Sequence, residues 1–430
     1  MTRQTAPGTR WTFAYITMLF FIWGAVTSVN DILIPAVKAI FSLSDTESFL
    51  TQFAFFLAYG VVSLPAAAIM GRLGAANSII LALATMIAGC LIMPFATIVR
   101  AYPIVLVGLF VIASGITLLQ VAANPYVAVI GPPESAPSRL NLVQAFNSFG
   151  TTLAPLFGGY LILSRTTSGT AEAGTVLTEA ERLADAQSVQ LPYLIVAGVL
   201  VILAIVIARF RLPDMGAETR RASAEERRGH SLWRHRNLVF GVPAIFIYLI
   251  AEIGVANLFI NFVSAPEIGN LTHAEASNYL FVLWGGMMVG RFAGSYLMRG
   301  IAAETVLAWF SVAAFVVMIL TVFTSGSVAM WSLISVGLFH SIMFPTIFTL
   351  GIRGLGPLTE EGSGLLIMAI AGGALVIVQG WLADAYGLQM SFLLTAVCEL
   401  YVLFYALWGC KPTHAITEGQ ALDTAPVRAE

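Results

Sequence analysis

Apolar runs of about 20 residues recur along almost the whole chain, and that is the length a helix needs to cross a hydrocarbon core roughly 30 Å thick at 1.5 Å per residue. Twelve such runs are read, at 12–37, 48–70, 76–98, 102–130, 140–163, 191–210, 238–264, 278–298, 302–323, 328–352, 362–385 and 388–409. Composition agrees. Of 430 residues, 58% are hydrophobic and 10% charged, against about a quarter charged in an ordinary soluble domain. The expectation is an all-α, polytopic membrane protein with the lipid bilayer as its solvent.

Orientation follows the placement of Lys and Arg rather than the net charge of −2. With the N-terminus inside, only Lys38, Arg100, Arg165 and Arg182 fall outside, which leaves 17 of the 21 Lys and Arg to the cytoplasmic side, including the dense run from Arg209 to Arg236. Both termini are therefore expected in the cytoplasm. The first run lacks a small-residue cleavage site and exceeds the core of a signal peptide, so it should be kept as the first helix. Cys90, Cys398 and Cys410 sit in or at the ends of apolar runs without metal-ligand spacing, and read as packing residues.

A polar insert rich in Arg, Glu, Ser and Ala, from about Arg211 to Arg236, divides the chain near its midpoint. The predicted organisation is a six-helix bundle over 1–210, a cytoplasmic linker over 211–237, a second six-helix bundle over 238–410, and a cytoplasmic tail over 411–430. A repeat supports the division. Val107-Gly108-Leu109-Phe110 matches Val336-Gly337-Leu338-Phe339, and each copy is followed by a Gly-Pro that closes its helix, Gly131-Pro132 and Gly356-Pro357. Parallel six-helix repeats are the architecture of major facilitator transporters, whose substrates bind near the midplane between the halves. Pro35, Pro65, Pro125, Pro155 and Pro345 predict kinks within the runs, tolerated in a bundle where neighbours satisfy the freed backbone groups. Gly285-Gly286, Gly290, Gly294 and Gly372-Gly373 read as close-packing positions.

Polar side chains at membrane depth carry the functional signal. Asp31 lies near the middle of the first apolar run, where an ionised carboxylate costs roughly 2.5–3.5 kcal/mol on insertion scales, so it should face a cavity or partners inside the bundle. Thr27 stands four residues earlier, Asn30 is adjacent and Trp23 lies two turns back. Gln120 and Asn124 share one face of the fourth run, and Gln144 and Asn147 one face of the fifth. Amides with indole rings suit a sugar, whose hydroxyls exchange water for side-chain donors and acceptors while its C–H faces stack on aromatics. The plainer reading is interhelical hydrogen bonding worth about 0.6 kcal/mol per contact. In the second half, Glu252 is a further carboxylate inside a run, read either as an ion-handling group or as half of a structural pair. Asn257 and Asn261 are candidates for sugar contact, and Trp284 for lining the cavity or for packing. Glu134 and Arg139, at the mouth of the fifth run, read as a gate ion pair or as interfacial anchors.

The string FFIWGAVTSVNDILIP from Phe20 to Pro35, QVAANPYV from Gln120 to Val127 and RLNLVQAFNSFGTTLAPLFGG from Arg139 to Gly159 resemble the fucose–proton symporter family of the major facilitator superfamily. SIMFPTIFTLGIRGLG from Ser341 to Gly356 and GSGLLIMAIAGGA from Gly362 to Ala374 are similar to its glucose/galactose transporter branch. The resemblance implies a bacterial inner-membrane symporter that takes up a hexose such as glucose or galactose by alternating access, coupled to H+ or Na+, with no prosthetic cofactor. N-acetylglucosamine and fucose are the alternative substrates. It places the family's coupling aspartate on Asp31, its first-helix tryptophan on Trp23 and its fifth-helix sugar-binding amides on Gln144 and Asn147. The family's second functional acid falls on Gln120, which cannot titrate; this weakens a two-carboxylate relay and points away from fucose. His340 stands where the resemblance leads one to expect an asparagine, so it bears on selectivity or adds a titratable imidazole. If the ion is Na+, Asp31 becomes a metal ligand beside oxygens of Asn30, Gln120 or the backbone.

Other classes fit less well. No pair of histidines stands at ligand spacing within a run, so an intramembrane hydrolase, and with it any catalytic residue, is not expected. A channel is more often a symmetric oligomer, whereas two internal repeats suit a monomeric carrier; a drug exporter should have a more apolar cavity, and a non-transporting sugar receptor is the remaining competitor. The expected partners are a small sugar and lipid, with no nucleic acid.

Overall fold

The computed structural model describes residues 7–41, 45–158, 179–210 and 231–413. Residues 211–230 of the expected linker, Arg165 and the tail beyond Thr413 lie outside the described residues. Among those described, no strand occurs. The helices are α1 (Pro7–Phe41), α2 (Asp45–Val99), α3 (Tyr102–Val129), α4 (Ala136–Gly158), α5 (Glu179–Phe210), α6 (Arg236–Ser264), α7 (His273–Leu297), α8 (Ala303–Phe323), α9 (Gly326–His340), α10 (Met343–Ile352), α11 (Thr359–Met368), α12 (Val376–Tyr386) and α13 (Leu393–Phe404). Nine spans among the described residues are long and apolar enough to cross a membrane.

Apolar side chains fill the interior and also cover the outside. Ile98, Ile202 and Ile377 are 68%, 64% and 72% exposed. In water a surface of this kind would drive association; in a bilayer it is the solvated face. Two stretches are enclosed throughout, Gly115 to Ala128 of α3 and the whole of α10. The three cysteines are free and buried.

Where the expected runs and the helices differ, local chemistry explains it. The second and third runs form a continuous α2, interrupted only at Gly74, whose φ of 76° belongs to the left-handed region that glycine enters without steric cost. The tenth run is broken between α9 and α10. Pro345 has no N–H to offer the carbonyl four residues back, and its ring collides with it; the helix accordingly stops at His340 and restarts at Met343. In the eleventh run, Ala369–Leu375 tightens into a 3-10 segment between α11 and α12. There Gly372 meets the Phe246 carbonyl so closely that an added Cβ would lie 2.2 Å from it.

The two copies of the Val-Gly-Leu-Phe repeat fall in α3 and α9, and each Gly-Pro leads into a 3-10 turn, Pro133–Ser135 or Gly356–Leu358, before the next helix starts. The halves of the chain meet through α4 against α7 and through α2 against α11. Among the described residues, hydrogen bonds between the halves gather toward the end of the bundle that carries Arg72, Arg139, Arg299 and Arg353. Ser138 and Ser295 bond each other, Asn141 Nδ2 donates to Thr346 Oγ1 at 3.0 Å, and Ser363 Oγ donates to the Val121 carbonyl at 3.3 Å. At the same end, the Glu360 carboxylate fills the space over Gly71 where any side chain would stand.

A cavity between the halves and the polar groups behind it

A cavity of about 150 Å³ lies where α4 faces α6 and α7. Its lining is shared between the halves: Asn147, Ser148, Thr151 and Thr152 from α4, and Glu252, Trp284, Met287 and Arg291 from the other side. A larger hollow of about 210 Å³, lined by residues including Phe262, Glu267, Tyr386 and Gln389, lies wholly within the second half and so is not placed to exchange access as two halves rock. Asn147, Glu252 and Trp284, singled out in sequence, are thus brought together at one cavity. The hydroxyls of α4 give it hydrogen-bonding capacity and Trp284 an aromatic surface.

Arg291 was missed, because the charge reading counted it with the cytoplasmic residues although it falls inside the eighth run. The structure corrects this, burying it in α7 with 8% exposure. Its Nε donates to the Ser341 carbonyl at 3.0 Å, the acceptor that Pro345 leaves unbonded. Its Nη1 donates to the Gln144 carbonyl at 3.2 Å and to the Ser148 hydroxyl, both on α4 in the other half. Glu252 interacts electrostatically with the guanidinium and with the Tyr248 hydroxyl. One side chain therefore closes a helix break, ties the halves and borders the cavity.

Behind the cavity sits a pair that sequence reading did not assemble. His340 Nε2 lies 2.8 Å from Glu399 Oε1, and both side chains are buried. Tyr248 donates its hydroxyl proton to the His340 carbonyl at 2.9 Å and packs its ring edge-on to the imidazole at 5.6 Å. Glu399 was overlooked, and so was the signal that would have found it, a carboxylate centred in the twelfth run. His340 is not among the cavity-lining residues.

The remaining candidates are placed as follows. Gln120 Nε2 donates to the Tyr59 hydroxyl at 2.8 Å, and Asn124 is fully buried with both amide atoms unpartnered. Gln144 is buried with Nε2 unpartnered, while Asn147 Nδ2 donates to the Phe20 carbonyl of α1 at 2.9 Å. Trp23 is buried, edge-on to Phe20 at 5.2 Å, and Asn257 and Asn261 are exposed on α6. Asn30 and Asp31 lie on α1, with their side chains outside the described residues. Arg139 caps the end of α3: Nε donates to the Val127 carbonyl at 3.2 Å, Nη1 to that of Pro132 at 2.8 Å, and Nη2 to those of Ala128 and Gly131 at 2.5 and 3.2 Å. Glu134 is exposed beside it and adds an electrostatic contact.

A bundle of apolar helices with a polar cavity shared between its halves defines a carrier. The family description of the Major Facilitator Superfamily matches residues 14–378, and the chain belongs to that superfamily of membrane transporters. It is 46% identical over 397 residues, covering 92% of this chain and 93% of the relative, to a protein of Brucella abortus named glucose/galactose transporter. It is 33% identical over 403 residues, covering 92% of each, to the L-fucose-proton symporter of Escherichia coli. Among solved structures, FucP in the outward conformation superposes with a TM-score of 0.84 at 32% identity, covering 92% of this chain and 98% of that one.

Proposed function

We propose that this chain is a proton-coupled hexose symporter of the bacterial inner membrane, taking up glucose or galactose. The observation that carries the reading is the cavity between the halves, with α4 hydroxyls and an amide facing Trp284, Glu252 and Arg291. It is the chemistry a neutral polyol needs, and the glucose/galactose transporters similar to this chain over nine-tenths of their length supply the substrate class. Gln120 replaces the family's second acid, which favours these hexoses over fucose. Proton coupling follows the L-fucose-proton symporters among the relatives; a sodium site on Asp31 has no support from them.

In this reading the chain is a monomer of two six-helix halves with both termini cytoplasmic. The hydrogen bonds at the arginine-bearing end then close the cytoplasmic side, giving the outward-facing state. Asp31 is the coupling acid: protonation removes a buried charge and lets the closed intermediate form, whereas the ionised empty carrier is held back. Asn30, Gln120, Asn124, Gln144, Asn147, Asn257, Asn261 and Trp23 serve the coupling and sugar sites, and Glu134 with Arg139 serves the gate. Counterflow in proteoliposomes with a panel of hexoses, repeated with pH and sodium gradients imposed separately, tests this. Glucose or galactose driven by a pH gradient is the expected result; lower-concentration competition by fucose, accumulation driven by sodium alone, or binding without transport would each overturn a stated part.

A further inference from the structure

We propose that the second half carries a proton-binding site of its own, the His340–Glu399 pair, linked to the cavity between the halves through the break between α9 and α10. The inference rests on the proton-symport reading for its role in transport, and on the geometry for the site itself.

The pair is completely enclosed, at 1% and 0% exposure, with 2.8 Å between Nε2 and Oε1. Glu399 Oε2 has no hydrogen-bond partner. An imidazole and a carboxylate at this distance can hold one added proton between them at no net charge; without it the pair is a buried anion with one oxygen unsatisfied, and with a second it is a buried cation. Low-dielectric burial penalises both charged states. The pair is therefore a site whose occupancy depends on the surrounding charges.

Two charges that line the cavity, Glu252 and Arg291, connect to the pair through Tyr248. Tyr248 on α6 interacts with Glu399 as well as with Glu252 and with Arg291 on α7, while Cys398 adjoins Glu399 on α13 and Tyr401 follows it by two residues. The helices α8 (beyond Glu304) and α10 bring none. With His340 protonated, Arg291 and His340 balance Glu252 and Glu399. The balance is mechanically connected as well. Tyr248 holds the His340 carbonyl and Arg291 holds the Ser341 carbonyl, so the two residues at the helix break are fastened to two groups that interact with Glu252. Arg291 also reaches α4, so movement of the halves that withdraws it changes both the field at His340 and the hold on the break. Proton occupancy of the pair and the state of the cavity must then influence each other reciprocally.

The test reads the imidazole directly and needs no sugar. Full-length protein carrying 13C-labelled histidine is titrated by NMR in lipid nanodiscs, with the His340 signal assigned by its loss in His340→Gln. The signal is expected to titrate, to change its profile in Glu399→Gln, and to show weakened proton binding in Glu252→Gln, where Arg291 loses its counter-charge. A signal that stays unchanged across the folded pH range overturns the site, and one indifferent to Glu252→Gln overturns the link. In transport, sugar exchange by Asp31→Asn is expected to keep a pH dependence that is lost when His340→Gln and Glu399→Gln are added together, a pairing chosen so that two amides replace the buried hydrogen bond. The same exchange profile with and without the pair overturns its role, while failure of proton-driven accumulation in the unmodified protein would count against the symport reading and leave the NMR result standing.

Discussion

Ser138 and Ser295 bond each other reciprocally across the two halves. The hydroxyl of Ser138 donates to the carbonyl of Ser295 at 2.7 Å, and the hydroxyl of Ser295 donates to the carbonyl of Ser138 at 2.8 Å. Two net hydrogen bonds of about 1 kcal/mol each amount to a shift of up to about 30-fold in an equilibrium between closed and open ends. Ser138→Ala with Ser295→Ala should favour opening of this end. Labelling of a cysteine placed at Asn141, in protein freed of its native thiols, is expected to accelerate in that background; an unchanged rate would remove the pair from the closure.

Arg291 should be costly to lose. Truncation to Ala leaves the Ser341 carbonyl without its donor, and a buried acceptor left unsatisfied costs about 1–3 kcal/mol. Arg291→Lys keeps the charge but not the fork that serves two helices. Thermal melting should fall most in Arg291→Ala, less in Arg291→Lys, and recover partly when Glu252→Gln accompanies Arg291→Gln. Equal melting in all forms would mean that the guanidinium contacts carry no net stability.

Gly24 allows α1 to lie against α4. A Cβ there would stand 2.1 Å from the Asn147 carbonyl, whereas nothing lies within 4 Å of a Cβ at Gly285. Gly24→Ala should separate the helices and destabilise by about 1–3 kcal/mol, the usual cost of overpacking, and Gly285→Ala should not. Matched thermal melts of the two variants check the difference.

Gln120→Glu adds a proton-binding group where the amide now donates to Tyr59. Two acids that sense one another cannot both ionise cheaply, so uptake should become more steeply dependent on pH if Asp31 and residue 120 share one polar cluster. Superimposable uptake profiles would separate residue 120 from the coupling site.

Asp31→Asn should abolish uphill accumulation while sugar exchange is partly retained, because only the charge-bearing step is removed. Accumulation assayed under an imposed pH gradient decides this, and equal accumulation by mutant and unmodified protein would end the coupling role.

Composition and neighbours along the chain already carry much of the outcome. Apolar runs of spanning length dictate membrane helices, the motifs around Asp31, Gln120 and Ser341 reveal the family, and Pro345 marks a break because its chemistry acts on the residue four positions earlier. Asn147, Glu252 and Trp284 were legible as polar or aromatic groups at membrane depth, and the structure lines one cavity with all three. Their partners come from the packing of helices far apart in the chain. Arg291 finds the carbonyls of Ser341 and Gln144, 50 and 147 residues away, and His340 finds Glu399 across 59. The amide of Asn147, read as a sugar ligand, is spent in this structure on the Phe20 carbonyl. Helical periodicity assigns a residue to a face, but which buried donor meets which buried acceptor depends on how distant helices pack.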